Sequence, residues 1–212
     1  MNVVQHNTTR IDPVSGPTDR LFILLHGVGA TAAGLRPLGL AMQRAFPNAA
    51  IVIPDGTYPF DGGNGGRQWF SISSVTEENR AARVAAALPT ITALVTAEQA
   101  RYSVGAGSTV LGGFSQGAIM SLELAVLEDG MVSHVLSFSG RFAKLPEAAP
   151  TVTAIHFMHG DRDPVITAQH AQDGYAKLKA LGGNTTLDVM QGVGHELNSS
   201  LIDKAIRHLH EE

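Results

Sequence analysis

The chain has 212 residues, 44% of them hydrophobic and 16% charged, a balance too apolar for a disordered chain and too lightly charged for a coiled coil. Fifteen Lys and Arg against nineteen Asp and Glu leave a net charge of −4, which offers no positive field to a nucleic acid. Zero cysteines remove disulfides, thiolate metal sites and Cys nucleophiles together.

Met1 to Arg10 has neither a basic start nor an apolar stretch, so no secretory signal is expected. The longest apolar runs, such as Leu21–Leu25, are five residues, far short of the roughly 18 needed to span a bilayer. Both points favour a cytoplasmic protein without an integral membrane segment. An edge strand is expected around Val3–Thr8, and six further strands near Leu21–Leu25, Ala50–Ile53, Thr109–Gly113, His134–Phe138, Ala154–Met158 and Thr186–Met190. Most are continuous apolar runs, as strands covered on both faces should be. Helical periodicity falls between them, at Leu35–Phe46, Glu78–Gln99, Gln116–Glu128, Ala168–Leu181 and Glu196–His210. Thr76 and Thr167 stand as N-caps, Gly182-Gly183 as a helix stop, and Pro89 is expected to kink or split the second helix. The alternation predicts an α/β fold: a mainly parallel sheet of about seven strands with helices on both faces, as a single domain over 1–212. Asp61-Gly62-Gly63-Asn64-Gly65-Gly66 reads as a surface loop rather than a linker between domains.

Gly113-Phe114-Ser115-Gln116-Gly117 places a serine between the strand Thr109-Val110-Leu111 and an apolar helix. In that setting Gly-x-Ser-x-Gly is a tight turn that projects the hydroxyl at the carboxyl end of the strand. A serine hydroxyl is a weak nucleophile at neutral pH; it needs a histidine to take its proton and an acid to orient that histidine. Both are expected after later strands, acid before histidine. His159-Gly160-Asp161-Arg162-Asp163-Pro164-Val165 follows one strand and Gly192-Val193-Gly194-His195-Glu196 the next. Asp163 is chosen over Asp161 because Pro164 holds it extended, whereas Asp161 after Gly160 reads as a turn residue capping the loop or pairing with Arg162. Acyl transfer also needs two N–H groups facing the developing oxyanion. Gln116, at a helix N-terminus, supplies one, and Val28, in the glycine turn after Leu25, the other. His26 is read as a structural hydrogen-bonding residue and His156 as a satisfied core residue. Trp69 and Phe70 either wall an acyl pocket or anchor the glycine loop to the core. Val165 joins them as an expected substrate-binding residue. His156 and His159 lack a third ligand, so no metal is assigned, and the chemistry requires no cofactor.

The chain resembles the phospholipase/carboxylesterase family of small α/β-hydrolases, which includes acyl-protein thioesterases and bacterial carboxylesterases. The resemblance rests on Leu25-His26-Gly27-Val28-Gly29, Gly66-Arg67-Gln68-Trp69-Phe70-Ser71, Gly113-Phe114-Ser115-Gln116-Gly117-Ala118, Ser139-Gly140-Arg141, His159 to Val165, and Gly194-His195. These blocks span almost the whole chain and look closest to a bacterial esterase branch. The resemblance implies an α/β-hydrolase fold without a large cap domain. It also implies Ser115 as nucleophile, Asp163 as orienting acid, His195 as base, and the N–H groups of Val28 and Gln116 as oxyanion donors. Ala30 departs from the pattern, standing where many relatives carry Asp. The expected activity is hydrolysis of small carboxylic esters, with an acyl thioesterase or lysophospholipase on the same residues, or a non-catalytic ligand-binding module, as alternatives. A homodimer is left open.

Overall fold

The computed structural model describes residues 7–211. In chain order its strands are β1 (Thr8–Ile11), β2 (Arg20–Leu25), β3 (Ala49–Pro54), β4 (Tyr58–Pro59), β5 (Arg67–Gln68), β6 (Thr109–Phe114), β7 (His134–Phe138), β8 (Ala154–Gly160) and β9 (Thr185–Met190). Seven of them form one sheet in the spatial order β1-β3-β2-β6-β7-β8-β9. Every neighbouring pair in it is parallel except β1 with β3, which is antiparallel. The helices are α1 (Arg36–Ala45), α2 (Glu77–Tyr102), α3 (Gln116–Leu127), α4 (Ala168–Ala180) and α5 (Ser199–His210).

The residue alternation of a strand decides which core each side chain joins. On β2, Leu21, Ile23 and Leu25 face a core closed by Val84, Leu88 and Ile91 of α2, Ile119 of α3 and Leu178 of α4. Phe22 and Leu24 face the opposite core, closed by Leu38 and Met42 of α1 and by Leu201, Ala205 and Leu209 of α5. Both faces of the central strands are therefore dry, which is why their sequences read as unbroken apolar runs.

The other six strands of the sheet fall where the sequence places them, within two residues at each end. The edge strand is displaced: it begins at Thr8 and runs to Ile11, pairing Thr8 with Pro54 and Ile11 with Ile51, while residues 3–6 lie outside the described residues. α2 is continuous through Pro89, contrary to a split. Pro89 and Ala85, whose carbonyl loses its i+4 donor, both lie on the solvent face, so water can satisfy that carbonyl. The last helix starts three residues later than its periodicity suggests. Asn198 accepts the Leu201 N–H at 3.0 Å as N-cap and leaves His195 to Leu197 in the preceding loop.

The two short strands β4 and β5 are not predicted from the sequence; they pair antiparallel and turn the glycine segment into a hairpin. Asn64, Gly63 and Gly65 adopt positive φ at its tip. The hairpin is docked, not free: the Gly29 N–H donates to the Arg67 carbonyl and the Arg67 N–H to the Ala30 carbonyl, both at 2.8 Å. A Cβ on Gly66 would run into the Gly29 carbonyl, so glycine is what lets the two loops touch.

Candidate active site

The carboxyl ends of β6, β8 and β9 and the loop after β2 meet at one edge of the sheet. Ser115 links β6 to α3 with φ 54° and ψ −114°, a conformation costly for any residue with a Cβ. Close packing maintains it. A Cβ on Gly113 would strike the Gly117 backbone, and one on Gly117 would strike the Leu25 carbonyl. The Ser115 N–H donates to the Phe138 carbonyl at 2.9 Å, which ties the turn to β7.

His195 Nε2 lies 2.9 Å from Ser115 Oγ, and its Nδ1 lies 2.6 Å from Asp163 Oδ2. Asp163 is buried, and its other oxygen accepts the N–H groups of Val165 and Ile166, each at 2.9 Å. Burial opposes the charged carboxyl, but the hydrogen bonds from His195, Ile166 and Val165 outweigh it and hold Asp163 below the usual aspartate range. Asp161 points elsewhere: it accepts the Gly192 N–H at 2.7 Å and thereby shapes the loop that carries His195. The same two loops are joined by the Arg162 N–H, which donates to the Val193 carbonyl at 2.9 Å. Ser115, His195 and Asp163 thus form one hydrogen-bonded chain, and Asp161 stands outside it.

The loop after β2 lies against the serine. A Cβ on Gly27 would sit 3.3 Å from Ser115 Cβ. The Gly56 N–H donates to His26 Nε2 at 2.8 Å, so His26 carries its proton on Nδ1, which donates to the Gly27 carbonyl at 2.7 Å. Burial keeps this imidazole neutral by pushing its pKa down. Because the peptide is planar and trans, fixing the Gly27 carbonyl on the His26 ring directs the Val28 N–H to the opposite side. The Gln116 N–H is at the first position of α3, where no intrahelical acceptor exists.

The Gln116 side chain has its own task. Its Oε1 accepts the Trp69 N–H at 2.9 Å and its Nε2 donates to the Phe70 carbonyl at 2.8 Å. The Trp69 indole N–H donates to the His26 carbonyl at 2.8 Å. Trp69 and Phe70 belong to the apolar core beside Ile23 and Leu25, with 2% and 4% exposure, whereas Val165 is 66% exposed. A cavity of about 240 Å³ opens beside His195, and its walls include Ala30, Gly34, Leu35, Phe114 and Leu197 but neither Trp69 nor Phe70. The Phe114 ring packs on His195 with centroids 4.8 Å apart. These wall residues come from three separate segments; the sequence singled out Ala30, as a departure from the family pattern, but gave no pocket role to Gly34, Leu35, Phe114 or Leu197. His159, weighed in the sequence only as a metal ligand, is fully buried, and its Nε2 lies 2.7 Å from the Ile166 carbonyl and 3.3 Å from Asp163 Oδ2. Its place at the end of a buried strand, four residues before Asp163, is the only signal that could have found it.

Among the described residues no group of three or more His, Cys, Asp or Glu could hold a metal ion, and no helix is long and apolar enough to cross a membrane.

Residues 6–212 match the family model described as Phospholipase/Carboxylesterase. The chain is 41% identical over 206 residues to Esterase YpfH of Escherichia coli (strain K12), covering 97% of this chain and 88% of that protein. It is 25% identical over 224 residues to Acyl-protein thioesterase 1 of Kluyveromyces lactis, covering 92% and 98%. Among solved structures, that of esterase PE8 is similar with a TM-score of 0.90 at 28% identity, covering 98% of this chain and 99% of that one. The Bacillus cereus carboxylesterase, at 15% identity and a TM-score of 0.81 over 99% and 95% of the two chains, shares the fold.

Proposed function

The chain belongs to the phospholipase/carboxylesterase family of α/β-hydrolases and is a hydrolase of ester bonds; within that family we propose that it is a serine carboxylesterase working through an acyl-enzyme on Ser115. The observation that carries the proposal is the pair of contacts on His195, 2.9 Å to Ser115 Oγ and 2.6 Å to Asp163 Oδ2. His195 takes the Ser115 proton on Nε2 as the oxygen attacks the ester carbonyl, and Asp163 keeps Nδ1 protonated and supports the charged ring. The Val28 and Gln116 N–H groups receive the negative oxygen, each such donor being worth about 3 kcal/mol in the transition state. The tetrahedral adduct collapses, the alcohol leaves with the proton held on His195, and Ser115 keeps the acyl group. Water then repeats the sequence, returning its proton through His195 and releasing the carboxylic acid. The cycle uses only side chains and backbone N–H groups.

Oxygen esters rank ahead of thioesters because the relative of higher identity is an esterase. We place the activity in a single cytoplasmic domain acting on small uncharged esters. The test is a chromogenic short-chain ester with the wild type and Ser115→Ala: turnover is expected from the first alone, and equal turnover by both refutes the proposal.

A further inference from the structure

The cavity beside His195 is more specific than a general cleft. It touches His195 but not Ser115, Gln116 or Asp163. Apart from Glu196, its walls are mostly carbon. Both ring nitrogens of His26 are occupied, by the Gly27 carbonyl and the Gly56 N–H, and both of His195, by Asp163 and Ser115. What remains is Ala30, Leu35, Phe114 and Leu197, with the Gly27 and Gly34 backbone between them. Glu196 adds a carboxylate to the lining, which disfavours an anionic occupant. At about 30 Å³ per small group, 240 Å³ holds about eight carbon atoms.

Resting on the serine esterase reading above, we propose that this cavity is the subsite for the alkyl chain of the leaving alcohol, that it takes uncharged aliphatic chains of up to about eight carbons, and that Gly34 sets this limit. The direction comes from the proton. In acyl-enzyme formation His195 must hand its proton to the departing alcohol oxygen, so that oxygen lies at His195 Nε2 and its chain continues into whatever space adjoins the imidazole. This cavity is such a space, since His195 itself lines it. Gly34 matters because its position is open. It has no positive φ, and a Cβ there would meet only Ala30 Cβ, at 4.0 Å. Because Gly34 also lines the cavity, a larger side chain at 34 has room to fill part of it without striking backbone, and so shortens it. Leu197, on the loop after His195, acts in the other direction: truncating it lengthens the cavity.

The test uses two ester series. In one, acetate esters carry alcohols from methyl to decyl; in the other, methyl esters carry acyl chains of the same lengths. For the wild type, kcat/KM in the alcohol series should rise by roughly fourfold per buried methylene and level off near eight carbons. Gly34→Leu, which adds four carbons to the wall, should bring the plateau down to about four carbons, and Leu197→Ala should raise it. Neither variant should move the profile of the acyl series. Displacement of the acyl profile instead, or an alcohol profile unmoved by both variants while turnover persists, overturns the subsite. If the wild type hydrolyses no ester in either series, the esterase reading fails and the subsite with it, and that outcome is distinct from the first two. Retained far-UV dichroism and turnover of methyl acetate by either variant exclude misfolding as the cause.

Discussion

Replacing Asp163 with Asn removes one charge and no volume, and the hydrogen bonds around it determine the effect. Asp163 Oδ1 accepts two backbone N–H groups at 2.9 Å, so an asparagine must keep its oxygen there. Its NH2 group then occupies the Oδ2 position, 2.6 Å from His195 Nδ1. Two donors cannot share that line, so His195 must carry its proton on Nε2, where it donates to Ser115 Oγ and cannot accept from it. A flip brings no relief, because it would set the NH2 group against the N–H groups of Val165 and Ile166. The wrong tautomer in such an arrangement costs about 10⁴ in turnover, or about 5 kcal/mol of activation free energy. Asp161→Asn keeps an oxygen able to accept the Gly192 N–H, so its loss should stay under about tenfold. The assay is kcat on a short acyl ester for both variants, with unfolding midpoints to separate folding from chemistry. A sensitive Asp161 together with an Asp163→Asn enzyme retaining a tenth or more of its turnover would refute the reasoning.

A fluorophosphonate probe should label the chain once, on Ser115, and Ser115→Ala should abolish labelling and hydrolysis with unchanged far-UV dichroism; a modified peptide containing any other serine defeats the assignment. Gln116→Ala leaves the Trp69 N–H and Phe70 carbonyl unpaired in the core and should cost about 3 kcal/mol of stability in urea unfolding. Its backbone N–H survives, so kcat should fall less than tenfold at a temperature where the variant is folded; a thousandfold fall would mean the side chain itself serves the reaction. Turnover should decline on acidification, because His195 must be neutral to accept a proton, and a flat profile with chemistry rate-limiting would remove it as base.

The order of strands and the three loops bearing Ser115, Asp163 and His195 were legible because each is local. A buried parallel strand must be apolar on both faces, and the Ser115 and Asp163 loops follow two such strands, while the His195 loop follows the half-buried edge strand β9. Asp163, preferred to Asp161 for its place before Pro164, is the one whose carboxylate meets His195. The β4–β5 hairpin was not legible, since its polar residues are held by backbone bonds to Gly29 and Ala30, more than thirty positions away, and carry no periodicity of their own. Trp69 and Phe70 were ambiguous for a related reason: whether an aromatic pair faces a cavity or the core depends on Gln116 and His26, which grip Trp69 from two other segments. Leu35, Phe114 and Leu197 are ordinary apolar residues until the fold brings them around His195.

Acid affects stability through a different histidine. His156, in the middle of β8 and 1% exposed, stacks on His208 at 4.9 Å and on His134 at 5.5 Å, and its Nδ1 lies 2.9 Å from Thr186 Oγ1. Burial first, then the neighbouring His208 and His134, push its pKa down to about 3, against the partial support of Asp188, which His208 and Lys204 already engage. A histidine whose folded pKa lies below its unfolded value costs nothing above about pH 6.5, and stability is lost progressively as pH falls from 6.5 towards 3, because the unfolded chain takes the proton that the folded one refuses. The slope is about 1.4 kcal/mol per pH unit, so roughly 2 kcal/mol should disappear between pH 6.5 and 5. Urea midpoints across that range should show at least this slope, and His156→Asn should reduce it by about 1.4 kcal/mol per pH unit, the rest belonging to other buried histidines such as His26 and His159, while lowering stability at pH 7 through the lost packing. A wild-type midpoint constant from pH 6.5 to 5, or an unchanged slope in the variant, would show that His156 is protonated in the folded state. The rate of ester hydrolysis should keep its acid limb in His156→Asn, since His156 takes no part in the reaction.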